Sequence, residues 1–499
     1  MNRDVVFRKL LCYGLFPERL ECILSSKKFG EWAINNNSKI NIENSKKYKL
    51  FPFKITRNNN SQRFLGVPHP LAYLRVCRQL HKDWSRINIM KRTVKNYNDI
   101  SMIVPKLSNK NGRLISMLSY NQDKEKDQKL LDKQFGKKYL VYADISDFFP
   151  SIYTHVISWA LVGKEKAKKE QSRQRRWFNK FDVVIRNMQD GETKGVPIGP
   201  DISGIISEII LSQIDKNLRK YTYMRFIDDY KCFCSSKEEA DSFIRELSEN
   251  LEYYRLKLNT KKTKIFELPQ TLDDDWVRNL RQFVNFKEVD RFNKNKVIGL
   301  LELSSDLFKK NPDESSIRYA AKVLSGKKYI DYSAYRIVLR YFLNLCFLYP
   351  YVIDICDNFI SIGIRSFPEN EKAIKAVLKN AIEVFLNEHV NYRRSDVMTW
   401  SLFLAIKYGV KIKQFAKISK EILRSKDVIS LLICFVYAKI NKENIDAFID
   451  LLNKVDLDEW WLYDYEIKRI QKQKLKSPEL EKMRKAKVSF LSDEINTKL

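Results

Sequence analysis

Hydrophobic and polar positions follow two different periods along the chain. Between residues 138 and 268, short apolar runs rich in β-branched and aromatic residues alternate with longer amphipathic stretches. From about residue 305 onward, apolar residues recur at helical spacing with short breaks, and strand signals fade. The first pattern predicts a mixed α+β domain, and the second predicts a series of helices.

The alternating region can be resolved into individual elements. In chain order, the pattern predicts a strand at 138–145, a helix from 154, a helix at 202–218, a hairpin at 221–236, a helix at 237–254 and a strand at 263–268. Upstream, Pro68 and Pro70 exclude a helix before about Leu71. The polar, Lys-rich stretch at 107–137 predicts a loop or a mobile subdomain.

Length and charge narrow the class of protein. A chain of 499 residues is expected to form two or three domains. Lys and Arg outnumber Asp and Glu by 91 to 61, which gives a net charge of +30. Such a charge favours phosphate-bearing partners, nucleic acid or nucleotides, although ribosome-associated and membrane-surface proteins can be equally basic.

The cysteines and the apolar runs indicate a cytoplasmic protein. Eight cysteines are scattered without any Cys-x-x-Cys pair, which argues against zinc sites and a disulfide framework. Reduced, buried thiols in the cytosol are the simpler interpretation. The N-terminus lacks the apolar core of a signal peptide, and the most apolar stretch, 428–440, is shorter than the ~20 residues of a membrane span. We therefore expect no membrane association.

Three aspartates stand where solvated acids are not expected. Asp228 and Asp229 lie inside the apolar and aromatic run 223–233. Asp144 directly follows the strand-like residues 139–143. The alternative is an ordinary solvated turn. Nucleotidyl transfer uses two cations about 3.5–4 Å apart, and Mg²⁺ prefers carboxylate oxygens. The sequence therefore predicts that these residues hold two Mg²⁺ ions, with Mn²⁺ as an alternative.

Four motifs in this region resemble those of reverse transcriptases. They are YADISDFFPSI, GVPIGPDIS, FIDDY and LKLNTKKTKIF, in that order over residues 142–266. The resemblance implies a fold of the α+β class. We expect an N-terminal segment at 1–60, reverse-transcriptase-like fingers and palm at 61–300, and an all-α, HEAT-like repeat domain at 301–499.

The same resemblance implies a role for each motif residue. Asp144, Asp228 and Asp229 would be the catalytic metal ligands. Phe149 falls where the family places a bulky gate that crowds a 2′-hydroxyl, so deoxynucleotides should be preferred. The residues implied in nucleotide binding are Arg63, Arg75, Asp147, Phe148, Phe149, Pro197, Ile198, Gly199 and Lys262. For the two arginines, surface ion pairs are the alternative.

A closer resemblance is to the abortive-infection (Abi) polymerases, which are bacterial phage-defence proteins. It rests on SIYTHVISWALVGKEKAK at 151–168 and MQDGETKGVPIGPDISGIISEIILSQID at 188–215. It implies DNA synthesis from dNTPs without a template, started on a tyrosine of the protein, so that single-stranded DNA stays covalently attached to a homo-oligomer. Tyr13 is the candidate primer, with Tyr48 as the fallback, although Tyr13 could equally be a core residue. Templated enzymes usually carry Gln where this chain has Ile198, whose side chain cannot hydrogen-bond.

Two other functions remain open at this stage. The basic segment 164–180 is compatible with a templated reverse transcriptase that uses a partner RNA. A non-enzymatic helical-repeat binding protein with a degenerate palm is the third hypothesis, which the presence of all three aspartates disfavours.

Overall fold

A computed structural model of the chain describes residues 2–43, 45–58, 60–87, 99–106, 112–115, 124–173, 176–269, 275–284, 291–292, 294–312, 315–326, 328–329 and 331–499. Eight strands lie within these ranges. They are β1 (Phe51–Thr56), β2 (Gln62–Val67), β3 (Tyr139–Asp144), β4 (Thr222–Phe226), β5 (Asp229–Cys234), β6 (Lys264–Glu267), β7 (Arg291–Phe292) and β8 (Lys328–Tyr329).

The α-helices of the described residues are more numerous than the strands. In the first part of the chain they are α1 (Arg3–Tyr13), α2 (Lys27–Asn35), α3 (Pro70–Lys82), α4 (Trp84–Ile87), α5 (Lys124–Gln134), α6 (Phe148–Ser151), α7 (His155–Val162), α8 (Lys164–Lys169), α9 (Trp177–Asn187), α10 (Asp201–Asn217) and α11 (Lys237–Tyr253).

The later helices follow one another with short connections. They are α12 (Asp275–Val284), α13 (Lys294–Lys310), α14 (Ser316–Ser325), α15 (Tyr332–Leu348), α16 (Cys356–Ser366), α17 (Glu371–His389), α18 (Ser395–Tyr408), α19 (Phe415–Ser425), α20 (Val428–Asn441), α21 (Asp446–Leu451), α22 (Trp461–Ile470), α23 (Pro478–Lys485) and α24 (Asp493–Asn496). Short 3₁₀ turns occur at Glu18–Leu20, Pro350–Ile355, Pro368–Asn370 and Leu452–Lys454.

The chain divides into two compact units. The sheet unit contains Met1–Phe51, Gly66–Leu272 and Lys472–Phe490, and the helical unit contains Pro52–Leu65, Asp273–Gln471 and Leu491–Leu499. The segment expected to stand apart at 1–60 is therefore shared between the units, most of it in the sheet unit. The domain limits at 60 and 300 stay predictions.

A four-stranded antiparallel sheet forms the centre of the sheet unit. Its strand order is β4-β5-β3-β6, so the hairpin β4-β5 adds to one side of β3 and β6 adds to the other. The predicted strands at 138–145 and 263–268 and the predicted hairpin are thereby confirmed. Alternating positions separate the two faces of the sheet, as the two-residue period of a strand requires.

One face of the sheet is covered by a helix that the sequence pattern did not indicate. Leu130 of α5 packs in a cluster with Leu140, Met224 and Phe233. The prediction of a loop at 107–137 is wrong for Lys124–Gln134, because burial of Leu130 stabilises a helix whose other side chains are mostly polar. Residues 107–111 and 116–123 lie outside the described residues.

The helical unit is built from helices with continuous apolar faces. Every residue from Val428 to Ala438 of α20 is buried, and α20 packs against α18 and α22. Asp427 caps α20 by accepting a hydrogen bond from the Ser430 amide at 2.8 Å. These helices confirm the helical periodicity read after residue 305. No helix among the described residues combines the length and apolarity needed to cross a bilayer.

Candidate active site

Two strands bring the three aspartates together. Asp144 ends β3 and lies directly opposite Asp229 at the start of β5 in the antiparallel register. Opposed residues of an antiparallel pair project from the same face, with Cβ atoms about 5 Å apart. Asp228 occupies the two-residue turn before Asp229, and its carbonyl accepts a hydrogen bond from the Ile145 amide at 3.2 Å. Residues 84 positions apart in sequence thus share one corner of the sheet.

Lysine and asparagine side chains both contact the carboxylate of Asp144 at this corner. Asp144 is buried, and its Oδ2 accepts hydrogen bonds from Asn259 Nδ2 at 3.1 Å and from Lys262 Nζ at 2.8 Å. The Asn259 amide also donates to the Asp144 carbonyl at 2.7 Å. The motif read as LKLNTKKTKIF therefore lies beside the first aspartate, and Lys262 contacts a carboxylate directly.

The carboxylates repel each other. Loss of hydration and the negative charge of Asp144 raise the pKa of Asp229 to about 6, although Lys262 and Lys231 oppose this increase. The Asp229 side chain remains open to solvent along part of its surface. A group of acids whose charges disfavour one another is a setting that a bound cation stabilises.

The donor chemistry fits a hard divalent cation, but the side chains are not arranged as a finished site. Within the described ranges no three acidic, histidine or cysteine side chains gather closely enough to hold a metal ion. The ammonium of Lys262 already occupies one oxygen of Asp144. Carboxylate oxygens are the ligands that Mg²⁺ prefers, so cation binding at Asp144 would require Lys262 to move.

Strained backbone positions Asp228. Ile227 has φ 59°, in the left-handed region that a β-branched residue seldom adopts. Such a conformation costs about 1–3 kcal/mol and persists only where surrounding contacts impose it. One such contact is a hydrogen bond of 3.0 Å from Arg225 Nη1 to the Ile227 carbonyl.

Arg225 belongs to a buried charge network on the opposite face of the sheet. Its guanidinium pairs with Glu208 at 2.9 Å and with Asp215 at 2.8 Å, both on α10. Ser101 and Tyr223 hydroxyls add hydrogen bonds of 3.2 Å and 2.9 Å to these acids. Burial raises the pKa of Asp215, which Arg225 opposes. The network fixes the strand that leads into the aspartate turn.

Sequence reasoning missed this network, although a signal was present. Arg225 interrupts an otherwise apolar and aromatic strand, and Glu208 and Asp215 are seven residues apart, on one face of an apolar helix. Buried acids at helical spacing call for a buried cation.

The first motif continues into a tight turn after Asp144. Asp147 is exposed with φ 42°, Phe148 is buried, and Phe149 is half-buried with its ring centroid 5.2 Å from that of Phe148. The Val196 amide donates to the Phe149 carbonyl at 3.0 Å. This bond connects the turn to the loop of the second motif.

The second loop is fixed by hydrogen bonds of its own backbone. The Ile198 carbonyl accepts from the Gly66 amide at 2.9 Å, and the Pro197 carbonyl accepts from Ser203 Oγ at 2.6 Å. Gly199 has φ 126°, and a Cβ there would lie 2.7 Å from Pro17, so glycine is required. The Ile198 side chain is half-buried.

An N-terminal segment that contains Tyr13 supports this loop. The Gly14 carbonyl accepts from the Asp201 amide at 2.9 Å. Arg113, also missed from the sequence, is buried and bonds the Phe16 carbonyl at 2.9 Å, the Gly199 carbonyl at 3.4 Å and the Asp201 carboxylate. Tyr13 is half-buried, with its ring beside Gly112.

Of the remaining predicted residues, Arg75 and Tyr48 contact other side chains and carbonyls, and Arg63 belongs to the helical unit. Arg63 is exposed on β2, in the helical unit. Arg75 is buried and donates to the carbonyls of Glu43 at 2.7 Å and Lys46 at 2.8 Å. Tyr48 is buried and stacks on His69, with ring centroids 4.4 Å apart. The phosphate contacts of both arginines stay predictions.

The model of the family "Reverse transcriptase (RNA-dependent DNA polymerase)" matches residues 81–310. This range contains the three aspartates and both loops around them. The chain contains a reverse-transcriptase domain.

The reverse-transcriptase domain confirms that the chain is an enzyme of the nucleotidyltransferase class, of DNA-polymerase type. Domains of this family use divalent metal ions and nucleotide substrates. The match begins at residue 81, and therefore does not extend to Tyr13, Arg63 or Arg75.

Similar solved structures are telomerases, at low similarity. Apo telomerase from Candida Tropicalis has a TM-score of 0.35 and 11% identity, over 80% of this chain and 71% of that one. Telomerase from the same organism with a TWJ fragment of telomeric RNA has a TM-score of 0.33 and 12% identity, over 78% and 67%. Similarity this low gives no basis for transferring a function. No curated protein matches the chain.

Proposed function

We propose that the chain is a protein-primed, template-independent DNA polymerase that acts in antiphage defence. The observation that carries the polymerase assignment is the register of β3 and β5, which sets Asp144 opposite Asp229 beside the Asp228 turn. Protein priming, template independence and defence are supported by the Abi-like strings at 151–168 and 188–215.

In the proposed reaction a hydroxyl oxygen attacks the α-phosphorus of a dNTP. A phosphodiester bond forms, the hydroxyl O–H bond breaks with release of its proton to water, and the α–β phosphoanhydride bond breaks as pyrophosphate leaves with the electron pair. Asp144, Asp228 and Asp229 would hold two Mg²⁺ or Mn²⁺ ions, which neutralise charge on the phosphates and lower the pKa of the attacking hydroxyl. The chain itself has to bind, orient and select the nucleotide.

Different residues around the aspartates would select the sugar, bind the triphosphate and contact the nucleotide. The Phe149 ring would crowd a 2′-hydroxyl and select deoxynucleotides. Backbone amides at Asp147 and Phe148 would donate to the triphosphate from the turn. Lys262, 2.8 Å from Asp144, would exchange its carboxylate partner for a phosphate. The loop Pro197–Gly199, held by Gly66 and Ser203, would contact the nucleotide.

Ile198 supports synthesis without a template. Its hydrocarbon side chain cannot hydrogen-bond to a base pair, whereas its carbonyl is already used by Gly66. Tyr13 is proposed as the primer: it is half-buried in a segment whose neighbour Gly14 bonds the start of α10. Tyr48, the fallback, is buried and would need a larger rearrangement to reach a nucleotide.

The wider assignment is part of the same proposal. The helical unit would act as a HEAT-like scaffold, in a homo-oligomer in the cytoplasm. Seven of the eight cysteines are buried and Cys22 is exposed, in keeping with buried, reduced thiols in a reducing compartment.

The test uses purified full-length protein with Mg²⁺ and dNTPs and no added nucleic acid. DNA should form and should enter the phenol phase until protease is added. Mass spectrometry of the peptide that contains Tyr13 should then show a nucleotide adduct, and Tyr13→Phe should abolish both signals. Tyr13→Phe is a suitable change because it retains the ring that packs beside Gly112. Synthesis that appears only with added template would disprove template independence.

A templated reverse transcriptase with a partner RNA is the second candidate function. The basic residues of segment 164–180 favour it, because they would bind an RNA backbone. Sequencing of co-purified nucleic acid separates the two functions. One abundant RNA with its complementary DNA supports the second, and random-sequence DNA joined to protein supports the first.

A further inference from the structure

Three helices of the sheet unit bring cations and aromatic rings together. Tyr153 precedes α7, Trp159 lies within it, and Lys164 begins α8. Tyr253 is the last residue of α11, and Arg255 follows two residues later. These five residues and Lys168 are called the cation–aromatic surface.

The cations of this surface lie over ring faces. Lys164 Nζ is 4.6 Å from the Tyr253 ring centroid and 4.9 Å from that of Trp159. The Arg255 guanidinium is 4.6 Å from the Tyr153 ring centroid and 5.5 Å from that of Trp159. Such stacking holds long side chains in place at a gain of about 0.5–1 kcal/mol each at exposed sites. The donors on the cations remain available to an anion.

The cations of this surface have no ion-pair partner within the part of the chain that the structure describes. Among the described residues, Lys164, Lys168 and Arg255 form no ion pair, whereas nearby Arg176 pairs with Glu170 at 2.6 Å. The neighbouring acid Asp182 is already matched by His155 at 2.8 Å and Arg186 at 3.4 Å. Tyr253 is 43% exposed, so part of its side chain is accessible to a base. Uncompensated charge beside an exposed aromatic ring is typical of surfaces that bind single strands.

The chain connects this surface to the aspartates over a short distance. Leu258 forms a bridge with Ile145, the residue after Asp144, and the Lys257 carbonyl accepts from the Ser146 amide at 2.9 Å. Arg255 is three residues before Leu258, which limits the separation of their Cα atoms to about 11 Å. The exposed Lys257 and Lys261 lie along the same segment, which ends at Lys262 beside Asp144.

We infer that the cation–aromatic surface binds the sugar-phosphate backbone of a DNA single strand as it leaves the aspartates, with Tyr253 stacking on a base. This inference rests on the proposed DNA synthesis and specifies where its product strand lies. Lys164, Lys168 and Arg255 contact phosphates in this arrangement, and the aromatic rings keep them in place.

The test measures binding rather than synthesis. Full-length protein is titrated into a fluorescein-labelled oligothymidylate of about 20 nucleotides, without dNTPs, and anisotropy is followed from about 50 to 200 mM salt. The triple variant Lys164→Ala, Lys168→Ala, Arg255→Ala should bind at least about ten-fold more weakly. Its slope of log affinity against log salt should fall by about 2, since each phosphate contact of a single strand contributes about 0.7.

A matched variant controls for net charge. Lys411, Lys417 and Lys420 are exposed in the helical unit, and their replacement by Ala removes the same charge. This control should bind like the wild type. Tyr253→Ala should weaken binding about three- to ten-fold, since stacking contributes roughly 1–3 kcal/mol per base and the ring is only partly exposed, whereas Tyr253→Phe should not.

The outcomes separate this inference from the proposed function. Equal binding by the site variant and the wild type would overturn the inference, as would equal losses in the site and control variants. Tighter binding of an oligouridylate would overturn the choice of DNA. If the site variant alone loses binding while template-free synthesis fails in the wild type, the surface is supported and the proposed priming is wrong.

Discussion

The two compact units differ in how their charged side chains are paired. In the sheet unit, Asp144, Asp228 and Asp229 are concentrated at one corner of the sheet, and the pKa of Asp229 is raised to about 6. In the helical unit, by contrast, several acids have a basic partner of their own, as in the two hydrogen bonds between the part-buried Arg318 and Asp354 at 2.8 and 2.7 Å. Concentrated like charge lowers stability unless a cation binds, as proposed for the aspartates, whereas paired charge has no such requirement.

The sheet unit also contains a matched network, on the other face of the same sheet. Arg225, Glu208 and Asp215 are fully buried and paired, and their position behind the hairpin explains how a strained turn at Ile227 can be maintained. One face of the sheet therefore supplies rigidity, and the other concentrates like charge. Mutations that exchange these properties should have effects of different kinds.

The largest expected effect is on catalysis. Asp228→Asn should lower DNA synthesis about 10³-fold or more, because metal-ion catalysis supplies several kcal/mol of stabilisation in the transition state. The melting temperature should change little, since the side chain is half-buried in a turn. The measurement is dNTP incorporation with parallel thermal unfolding. Retention of full activity would show that the concentrated charge has another purpose.

The next effect is on stability and comes from the matched network. Arg225→Met should cost about 3–5 kcal/mol, because Glu208 and Asp215 would be left buried and unpaired. Chemical denaturation of the full chain measures it. Arg225→Lys keeps the positive charge but not the several N–H donors of the planar guanidinium, so it should recover part of the lost stability. A variant as stable as the wild type would disprove that the network holds the hairpin.

The third effect depends on pH and belongs to the helical unit. Burial, aided by Arg394, lowers the pKa of His389 from 6.5 to about 4, and its Nε2 lies 3.2 Å from the Phe347 carbonyl. The folded state therefore binds fewer protons than the unfolded state between these values, and stability falls as pH drops from about 6.5 towards 4. The full loss is about 3 kcal/mol.

Unfolding free energies of the wild type and of His389→Gln at pH 7 and pH 4.5 check this prediction. Glutamine does not titrate, so the pH dependence attributable to this position should disappear. Identical pH profiles for the two proteins would assign acid sensitivity to other groups.

The smallest expected effect is a stability change of opposite sign in the two units. Asp229→Asn removes a charge that Asp144 repels, so stability at pH 7 should rise, by about 1 kcal/mol or less because the side chain is open to solvent. Asp354→Asn, its counterpart in the helical unit, should instead lower stability, since it leaves Arg318 without its carboxylate. Opposite signs in thermal unfolding are expected, and equal signs would contradict the comparison.

The succession of strands along the chain and the approach of Asp144 to the Asp228-Asp229 turn were predictable from sequence. Burial of Asp228 and Asp229 within the apolar run 223–233 would be costly, so a turn at these residues was expected. Asp144 stands at the end of the other strong strand pattern, which lies upstream. What could not be predicted depends on tertiary contacts. Leu130 stabilises a helix in a polar segment, and Arg113 joins the N-terminal segment to the Gly199 loop across long sequence separations. Which tyrosine would prime stays a prediction for the same reason.

The pairing of β3 with β5 also limits how the gene can vary. A single-residue insertion between Tyr139 and Asp144 would shift the alternation of the strand and turn Asp144 towards the side occupied by Arg225. Every amino acid could remain in the protein, and the approach of Asp144 to Asp229 would still be lost. The length of these two strands should therefore tolerate far less change than the identity of most residues within them.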